Sequence, residues 1–157
     1  EVTYEGFAPE GISLIIETVT DNPLRTTSEI KSIFSKEGGN FGQPGSVSYL
    51  FAQKGKIIIN KEGRIMDELF EAALDCGAED IKEEEDKAII TTSFSDLSQV
   101  RDKLLAKGIK IIDASPIRNP LVTMKITERE KMERVISFIE KLEKLDDVQK
   151  VYSNLEG

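Results

Sequence analysis

The sequence has no histidine and only one cysteine, Cys76, among 157 residues. A disulfide within the chain is therefore excluded, and a lone cysteine favours an intracellular setting. A catalytic thiol needs a basic partner such as histidine. Cys76 also ends an amphipathic helical pattern on its apolar side, which predicts a core position rather than a nucleophile. Because no nucleophile motif, metal-ligand spacing or cofactor fingerprint is present, we predict a protein that is not an enzyme and uses no cofactor or metal.

Positive charge is also scarce, since 21 lysines and arginines stand against 29 acidic residues, for a formal net charge of −8. Attraction to phosphate requires lysine and arginine in excess or in clusters. We therefore expect this chain to bind nucleic acid weakly, through a local patch at most. No apolar run reaches membrane-spanning length and no signal-peptide pattern opens the chain, so no membrane partner is predicted.

Glycine is concentrated in the stretch SKEGGNFGQPGSVSYLF (35–51). Repeated glycine indicates a tightly specified turn, because glycine tolerates positive φ and close backbone approach. Phosphate-binding loops open a helix and continue into Lys-Ser or Lys-Thr, whereas this stretch follows a helix and lacks that pair. We therefore predict a structural turn formed by Gly38, Gly39, Gly42 and Gly45.

Apolar patterning predicts a β-α-β segment at each end of the chain. The strands are predicted over 12–19, 47–51, 121–126 and 148–152. Thr26 with Glu29, and Thr127 with Glu130, have the spacing of capping boxes at the starts of the two helices. The two segments together complete one domain.

The middle of the chain predicts the order β-α-β-β-α-β of a ferredoxin-like sandwich. Its strands are predicted over 56–60, 78–83, 87–92 and 109–113. Gly77 ends the first helix and Ser95 caps the second. We predict an α+β fold of two ferredoxin-like βαββαβ domains. One consists of 1–54 plus 117–157, and the other, 55–116, is inserted into it at a turn at Gly55 and at two prolines near 116–120.

The candidate nucleic-acid-binding residues are Arg25, Thr26, Thr27, Lys31 and Lys36. A guanidinium, hydroxyls and free N–H groups at a helix N-terminus can hold a phosphate, and the two lysines extend this strip along the helix. The simpler interpretation is that Thr26 caps the helix while Arg25 faces solvent.

Two further groups have structural interpretations. The acidic run 83–86 offers oxygen ligands but lacks the spacing of a calcium loop, which favours a solvated turn. Phe41, Tyr49 and Phe51 would stack on bases if their rings faced solvent, but the RNA-recognition motif is absent and a core position is predicted.

Two segments carry a resemblance to a known family: GISLIIETVTDNPLRTTSEIKSIFSKEGGNFGQPGSVSYLF (11–51) and LEKLDDVQKVYSNLE (142–156). They resemble the YebC/PmpR family, and the run Ser-Lys-x-Gly-Gly-x-x-Gly-x-x-Gly-Ser-Val is too specific to be a generic motif. Members of that family begin with a basic helical domain. Because this chain begins at Glu1 without an initiator methionine, we expect a fragment that comprises the two C-terminal domains.

The resemblance implies a regulator of gene expression. The family includes the mitochondrial translational activator of cytochrome c oxidase subunit I, together with bacterial members described as DNA-binding transcriptional regulators or as ribosome-associated translation factors. We predict a ribosome-associated translation factor, with a DNA-binding transcriptional regulator and a small-molecule-sensing module as alternatives. The ribosome, RNA or DNA is expected to bind through the full-length protein, in the bacterial cytoplasm or in mitochondria.

Overall fold

The computed structural model describes residues 1–156, which divide into two compact units. The first unit contains residues 1–52 and the chain from 119 onward, and the second contains residues 53–118. In chain order the elements are β1 (Val2–Phe7), β2 (Ser13–Thr18), α1 (Pro23–Glu37), β3 (Asn40–Gly42), β4 (Phe51–Asn60), α2 (Met66–Asp75), β5 (Asp80–Glu84), β6 (Lys87–Ser93), α3 (Leu97–Ala106), β7 (Ile111–Pro120), α4 (Arg129–Glu143) and β8 (Val148–Ser153).

The first unit is built on a four-stranded sheet in the order β3-β1-β2-β8, in which all neighbouring strands are antiparallel. Residues 12–16 are all buried, as expected for a central strand with both faces covered. Helices α1 and α4 meet through Phe34 and Phe138, whose rings pack edge to face with centroids 5.0 Å apart. This core fixes the position of α1, which carries the candidate nucleic-acid-binding residues.

The second unit has the sheet order β5-β6-β4-β7 and the chain order β4-α2-β5-β6-α3-β7. Ile57 and Ile59 of β4 are fully buried, while Ile58 between them is only half-buried, which is the period-two pattern of a strand. Leu69 of α2 belongs to the same core. Cys76 is 2% exposed at the end of α2 within this core, so the core position predicted for the cysteine is confirmed.

The α+β fold class is confirmed, with two four-stranded sheets and four helices consistent with ferredoxin-like domains. The predicted strands at 12–19 and 148–152 correspond to β2 and β8, and the predicted hairpin corresponds to β5 and β6. Strands β1 and β3 were not predicted.

Two of the predicted strands are wrong. Ser48–Leu50 forms a 3-10 turn instead of the strand predicted over 47–51, because the N–H groups of Val47 and Ser48 bond to the carboxylate of Glu5 rather than to a neighbouring strand. The segment 121–126 makes a single bridge, between Met124 and Leu155. Residues 121–125 are all exposed, so they have no buried face to hold them in a sheet.

The turn predicted at Gly55 is wrong, whereas the chain re-enters the first unit at residue 119, between the two prolines. Gly55 is not in a turn but lies buried inside β4, opposite Thr92 of β6. A Cβ at this position would clash with the hydroxyl of Thr92, so the glycine permits close packing of the two strands. Pro116 and Pro120 lie within β7, at the edge of the sheet, where a missing N–H is tolerated.

Two predicted caps are wrong as well. Helix α3 begins at Leu97 with Asp96 at the N-cap, and Ser93 rather than Ser95 accepts the N–H of Asp96. Helix α4 begins at Arg129 with Glu128 at the N-cap, one residue after the predicted cap Thr127.

Candidate nucleic-acid interface

Helix α1 begins earlier than its sequence pattern predicts. Pro23 occupies its first turn, where a missing N–H costs nothing, and Asn22 is the N-cap. The side-chain oxygen of Asn22 accepts the N–H of Arg25 at 3.2 Å. Thr26 therefore lies inside the helix, where its own N–H bonds to the carbonyl of Asn22, and the predicted cap at Thr26 is wrong.

The side chains of Arg25 and Thr26 converge on a carboxylate of the same chain. Asp147, in the turn between α4 and β8, accepts hydrogen bonds on Oδ2 from Arg25 Nη2 at 2.9 Å and from Thr26 Oγ1 at 2.7 Å. The hydroxyl of Thr20 bonds to the same oxygen at 3.2 Å. Asp147 thus occupies the position next to the start of α1 that a phosphate would take.

This cluster shifts the pKa values of both charged partners. The hydrogen bond from Arg25, followed by that from Thr26, lowers the pKa of Asp147 below its ordinary value, against a smaller opposing effect of burial. The same contact with Asp147 raises the pKa of Arg25. Asp21 and Glu29 lie on either side, each 3.6 Å from the guanidinium. Arg25 is thus surrounded by three carboxylates of its own chain.

Thr27 and Lys31, the next two candidates, face a groove beside the sheet. The hydroxyls of Thr27 and Tyr4 lie 2.7 Å apart in a hydrogen bond, and the ammonium of Lys31 lies 5.3 Å from the ring centroid of Phe41. The groove has a volume of about 230 Å³. Its lining consists of Val2, Thr3, Tyr4, Glu5, Thr27, Lys31, Phe41, Gly42, Gln43 and Pro44. Lys36 is exposed in the last turn of α1 and does not line this groove.

The three candidate aromatic residues have different environments. Phe51 is buried, as predicted, and Phe41 is half-buried against the core of the first unit. Tyr49 is 70% exposed, so the core position predicted for it is wrong. The 3-10 turn at 48–50 places its ring outside the core.

The glycine-rich turn has the features of an anion-binding loop, but its anion belongs to the protein. Gly38 ends α1 with a φ of 86°, and Gly45 has a φ of 91°, a region that favours glycine. The N–H groups of Gly45, Val47 and Ser48 donate to the carboxylate of Glu5 at 2.7, 3.0 and 2.7 Å. We call this set of three donors the N–H nest.

Glu5 is 6% exposed and ionised in this position. Burial is the largest single influence and acts to raise its pKa, but the hydrogen bonds from the N–H nest act together in the opposite direction and leave the pKa below its ordinary value of 4.5. The charge therefore holds the turn against the sheet.

Glu5 and Asp147 were not found from the sequence. A glutamate facing inward on a strand, opposite a loop rich in glycine N–H groups, is the signal that would have indicated Glu5, but it requires β1 to be recognised first. No local pattern marks Asp147 as the partner of Arg25, because 122 residues separate them.

The acidic run 83–86 lies at the turn of the β5–β6 hairpin, and all four of its residues are exposed. Glu83 forms an ion pair with Lys61. Within residues 1–156, no three Cys, Asp or Glu side chains are grouped so that they would hold a metal ion.

The sequence model of a family described as the second and third domain of TACO1/YebC matches residues 1–155. The chain belongs to the TACO1/YebC family. The resemblance drawn from residues 11–51 and 142–156 is thereby confirmed.

Relatives in the TACO1/YebC family are similar along nearly the whole chain. A probable transcriptional regulatory protein from Syntrophus aciditrophicus is 47% identical over 156 residues, which is 99% of this chain and 62% of the relative. One of the same description from Persephonella marina is 43% identical and 63% covered. The crystal structure of a conserved hypothetical protein from Aquifex aeolicus matches with a TM-score of 0.90 and 42% identity, over 99% of this chain and 64% of that one. The chain thus spans less than two thirds of these relatives.

None of the helices described for this TACO1/YebC chain, across residues 1–156, combines the length and apolar character of a membrane span.

Proposed function

We propose that this chain is a non-enzymatic part of a transcriptional regulator, and that tight nucleic-acid binding by its longer relatives resides outside the part that this chain matches. The observation that carries the proposal is the engagement of Arg25 and Thr26 by Asp147. A phosphate would have to displace an ionised carboxylate that already has three donors, including the hydroxyl of Thr20.

The charge of the chain supports the same proposal. Once Arg25 is paired with Asp147, Lys31 and Lys36 are the cations of the predicted strip that form no ion pair with any residue in the described range 1–156. Two phosphate contacts give a salt dependence of affinity with a slope of about −2 on logarithmic axes, which is shallow for a specific complex. The net charge of −8 adds repulsion.

The names of the relatives favour transcription over the translational role that the resemblance to the family implied. Both the Syntrophus and the Persephonella proteins are named probable transcriptional regulatory proteins. Regulation of transcription is therefore the main proposal, and ribosome association is the alternative that the experiment must separate from it.

A salt titration tests where nucleic-acid binding resides. This chain and the longer Syntrophus relative are compared for binding to one duplex DNA and to ribosomal RNA at several salt concentrations. We expect the relative to bind more tightly and with a steeper slope. Equal affinities and equal slopes would place the binding surface within these residues and contradict the proposal.

A matched pair of charge variants locates any residual binding by this chain. Lys31→Glu with Lys36→Glu changes the strip on α1, whereas Lys103→Glu with Lys107→Glu makes the same charge change at α3 in the second unit. Loss of residual binding in the first pair alone assigns it to the strip. Co-sedimentation of the Syntrophus relative with ribosomes, without any shift of DNA mobility, would replace transcription by translation as the function.

A further inference from the structure

The outer edge of β1 is open over its first half. β2 pairs with β1 from Val2 to Phe7, but β3 pairs with it only from Glu5 to Phe7. Among the strands described within residues 1–156, none pairs with Val2–Tyr4 on the β3 side. β3 ends at Gly42 because the chain then turns to bring the N–H of Gly45 onto Glu5.

The groove of about 230 Å³ lies along this open edge. One wall is the first half of β1, and another is the exit from β3 at Gln43 and Pro44. The third wall is α1, which contributes Thr27 and Lys31. The groove therefore continues the line of β3 past the point where β3 itself ends.

We infer that this groove binds an extended peptide segment of a partner protein, which adds to the sheet beside Val2–Tyr4, and that Lys31 selects an acidic side chain on that segment. Strand addition is a recurrent mode of peptide recognition, in which main-chain hydrogen bonds supply affinity and flanking side chains supply specificity. A site of this kind would serve a transcriptional and a translational regulator equally, so it stands whichever process the protein controls.

The backbone of the edge favours a peptide over a nucleic acid. An unpaired strand edge presents the N–H and C=O groups of every second residue, and another strand with the same rise of about 3.3 Å per residue matches this spacing. The sugar-phosphate backbone carries no such alternating donors and acceptors. A single lysine in an acidic chain also adds little attraction for a polyanion.

Charge complementarity identifies the side chain that the peptide carries. Lys31 is the only cation in the lining and forms no ion pair with any described residue of 1–156. Glu5 is the only carboxylate there, and its charge is already engaged by the N–H nest. An incoming glutamate or aspartate thus meets an ammonium that lies over the ring of Phe41 and has no carboxylate partner among the described residues. Distant acidic residues are screened beyond roughly 8 Å at physiological salt.

The test uses the whole chain labelled with nitrogen-15 and the probe peptide acetyl-Thr-Val-Glu-Val-Thr-amide. We expect its addition to move the amide signals of residues 2–5 and 41–43, and to bind about threefold more tightly than the same peptide with a central lysine. Lys31→Glu is expected to reverse this preference. Lys36 lies on the same helix but outside the groove, so the variant Lys36→Glu is the control and is expected to leave the preference unchanged.

Two N-methylated versions of the peptide test strand addition itself. Methyl groups on alternate amides block one edge of the peptide in the first version and the other edge in the second. Because only one edge faces β1, we expect one version to lose about tenfold in affinity and the other to retain it. Equal losses, an unchanged preference in Lys31→Glu, or no shift at residues 2–5 and 41–43 at millimolar peptide would each overturn the assignment. A stronger response of the same signals to oligouridylate would also overturn it.

Discussion

At the scale of single residues, Glu5 is the point at which the glycine-rich turn is attached to the sheet. Its two carboxylate oxygens accept hydrogen bonds from three backbone N–H groups. A buried charge is tolerated when hydrogen bonds of this kind compensate for its loss of hydration. The stability of the turn therefore depends on two acceptor oxygens, and among side chains of this length only a carboxylate has both.

Glu5→Gln is expected to lower the free energy of unfolding of the first unit by about 1.5–3 kcal/mol, because the amide nitrogen cannot accept the N–H groups. Urea titration followed by tyrosine fluorescence reports this unit alone, since all three tyrosines lie in it: Tyr4, Tyr49 and Tyr152. Glu140→Gln on the exposed surface of α4 is the control and should stay within about 0.5 kcal/mol of the parent. Equal effects of the two variants would contradict the role given to Glu5.

The difference in stability between the parent protein and Glu5→Gln is expected to depend on pH. Because the pKa of Glu5 is lower in the folded state than its ordinary value of 4.5, its contribution to stability is complete above the unfolded pKa. The contribution is lost as the pH falls through the folded pKa. The difference in urea midpoint between the parent and Glu5→Gln should thus be constant near neutral pH and shrink below about pH 4.5. A difference that grows on acidification would show that the pKa is raised instead.

Residues whose partners are close in sequence could be predicted, while those with distant partners could not. The core position of Cys76 follows from its place at the end of a helical stripe. Glu5, in contrast, lies 40 residues from Gly45. The number of N–H groups in a glycine-rich loop indicates that an acceptor is needed, but only the tertiary structure shows which acceptor is used.

At the scale of elements, the start of α1 shows how one residue decides a helix boundary. The sequence pattern predicted Thr26 as the cap, whereas the structure uses Asn22, whose side chain is equally suited to capping. Asn22 prevails because Pro23 follows it, and proline with its fixed φ is well placed in the first turn of a helix. Thr26 is then free to bond to Asp147.

Asn22→Ala is expected to destabilise the first unit by about 1 kcal/mol, since the N–H of Arg25 loses its acceptor. Ser28→Ala, at an exposed position in the same helix, is the control and should have little effect or stabilise slightly, because alanine is the better helix former. The measurement is again urea unfolding followed by tyrosine fluorescence. A larger loss in Ser28→Ala than in Asn22→Ala would place the cap elsewhere.

The strands illustrate what periodicity can and cannot decide. The buried run at 12–16 and the alternation along β4 are both visible as patterns of apolar residues within a single segment. Both strands were therefore predicted at least in part. The segments at 47–51 and 121–126 have the composition of strands but lack strand partners over most of their length. A strand requires a neighbour, and the neighbour is not encoded in the segment itself.

At the scale of the whole molecule, the chain leaves the first unit after residue 52 and returns to it at residue 119. The core of the second unit lies entirely between these points, and its buried residues are Ile57, Ile59, Leu69, Ala73, Cys76, Ile81, Ala88, Ile90, Val100, Leu104 and Ile109. No buried residue of this cluster comes from the first unit. The second unit therefore contains what it needs to fold.

Residues 53–118 expressed alone are expected to fold, with a free energy of unfolding of roughly 3–5 kcal/mol, because a chain of this size has a small core. Dispersed amide signals and a cooperative urea transition followed by circular dichroism are the measurements. Leu104→Ala in the same fragment is the unfolded reference, since losing a buried leucine costs about 2–5 kcal/mol. If the amide signals of the fragment spanned as small a range of chemical shift as those of this reference, the second unit would depend on the rest of the chain.

The N–H nest also has a consequence for how the protein responds to its chemical surroundings. An anion that is part of the same chain is present at an effective concentration of millimolar or more, however dilute the protein is. Dissolved phosphate or carboxylate metabolites would have to displace the Glu5 carboxylate, which cannot diffuse away from the nest. While Glu5 is ionised, we therefore expect neither the occupancy of the nest nor the shape of the loop that borders the groove to depend on the anions that the cell accumulates.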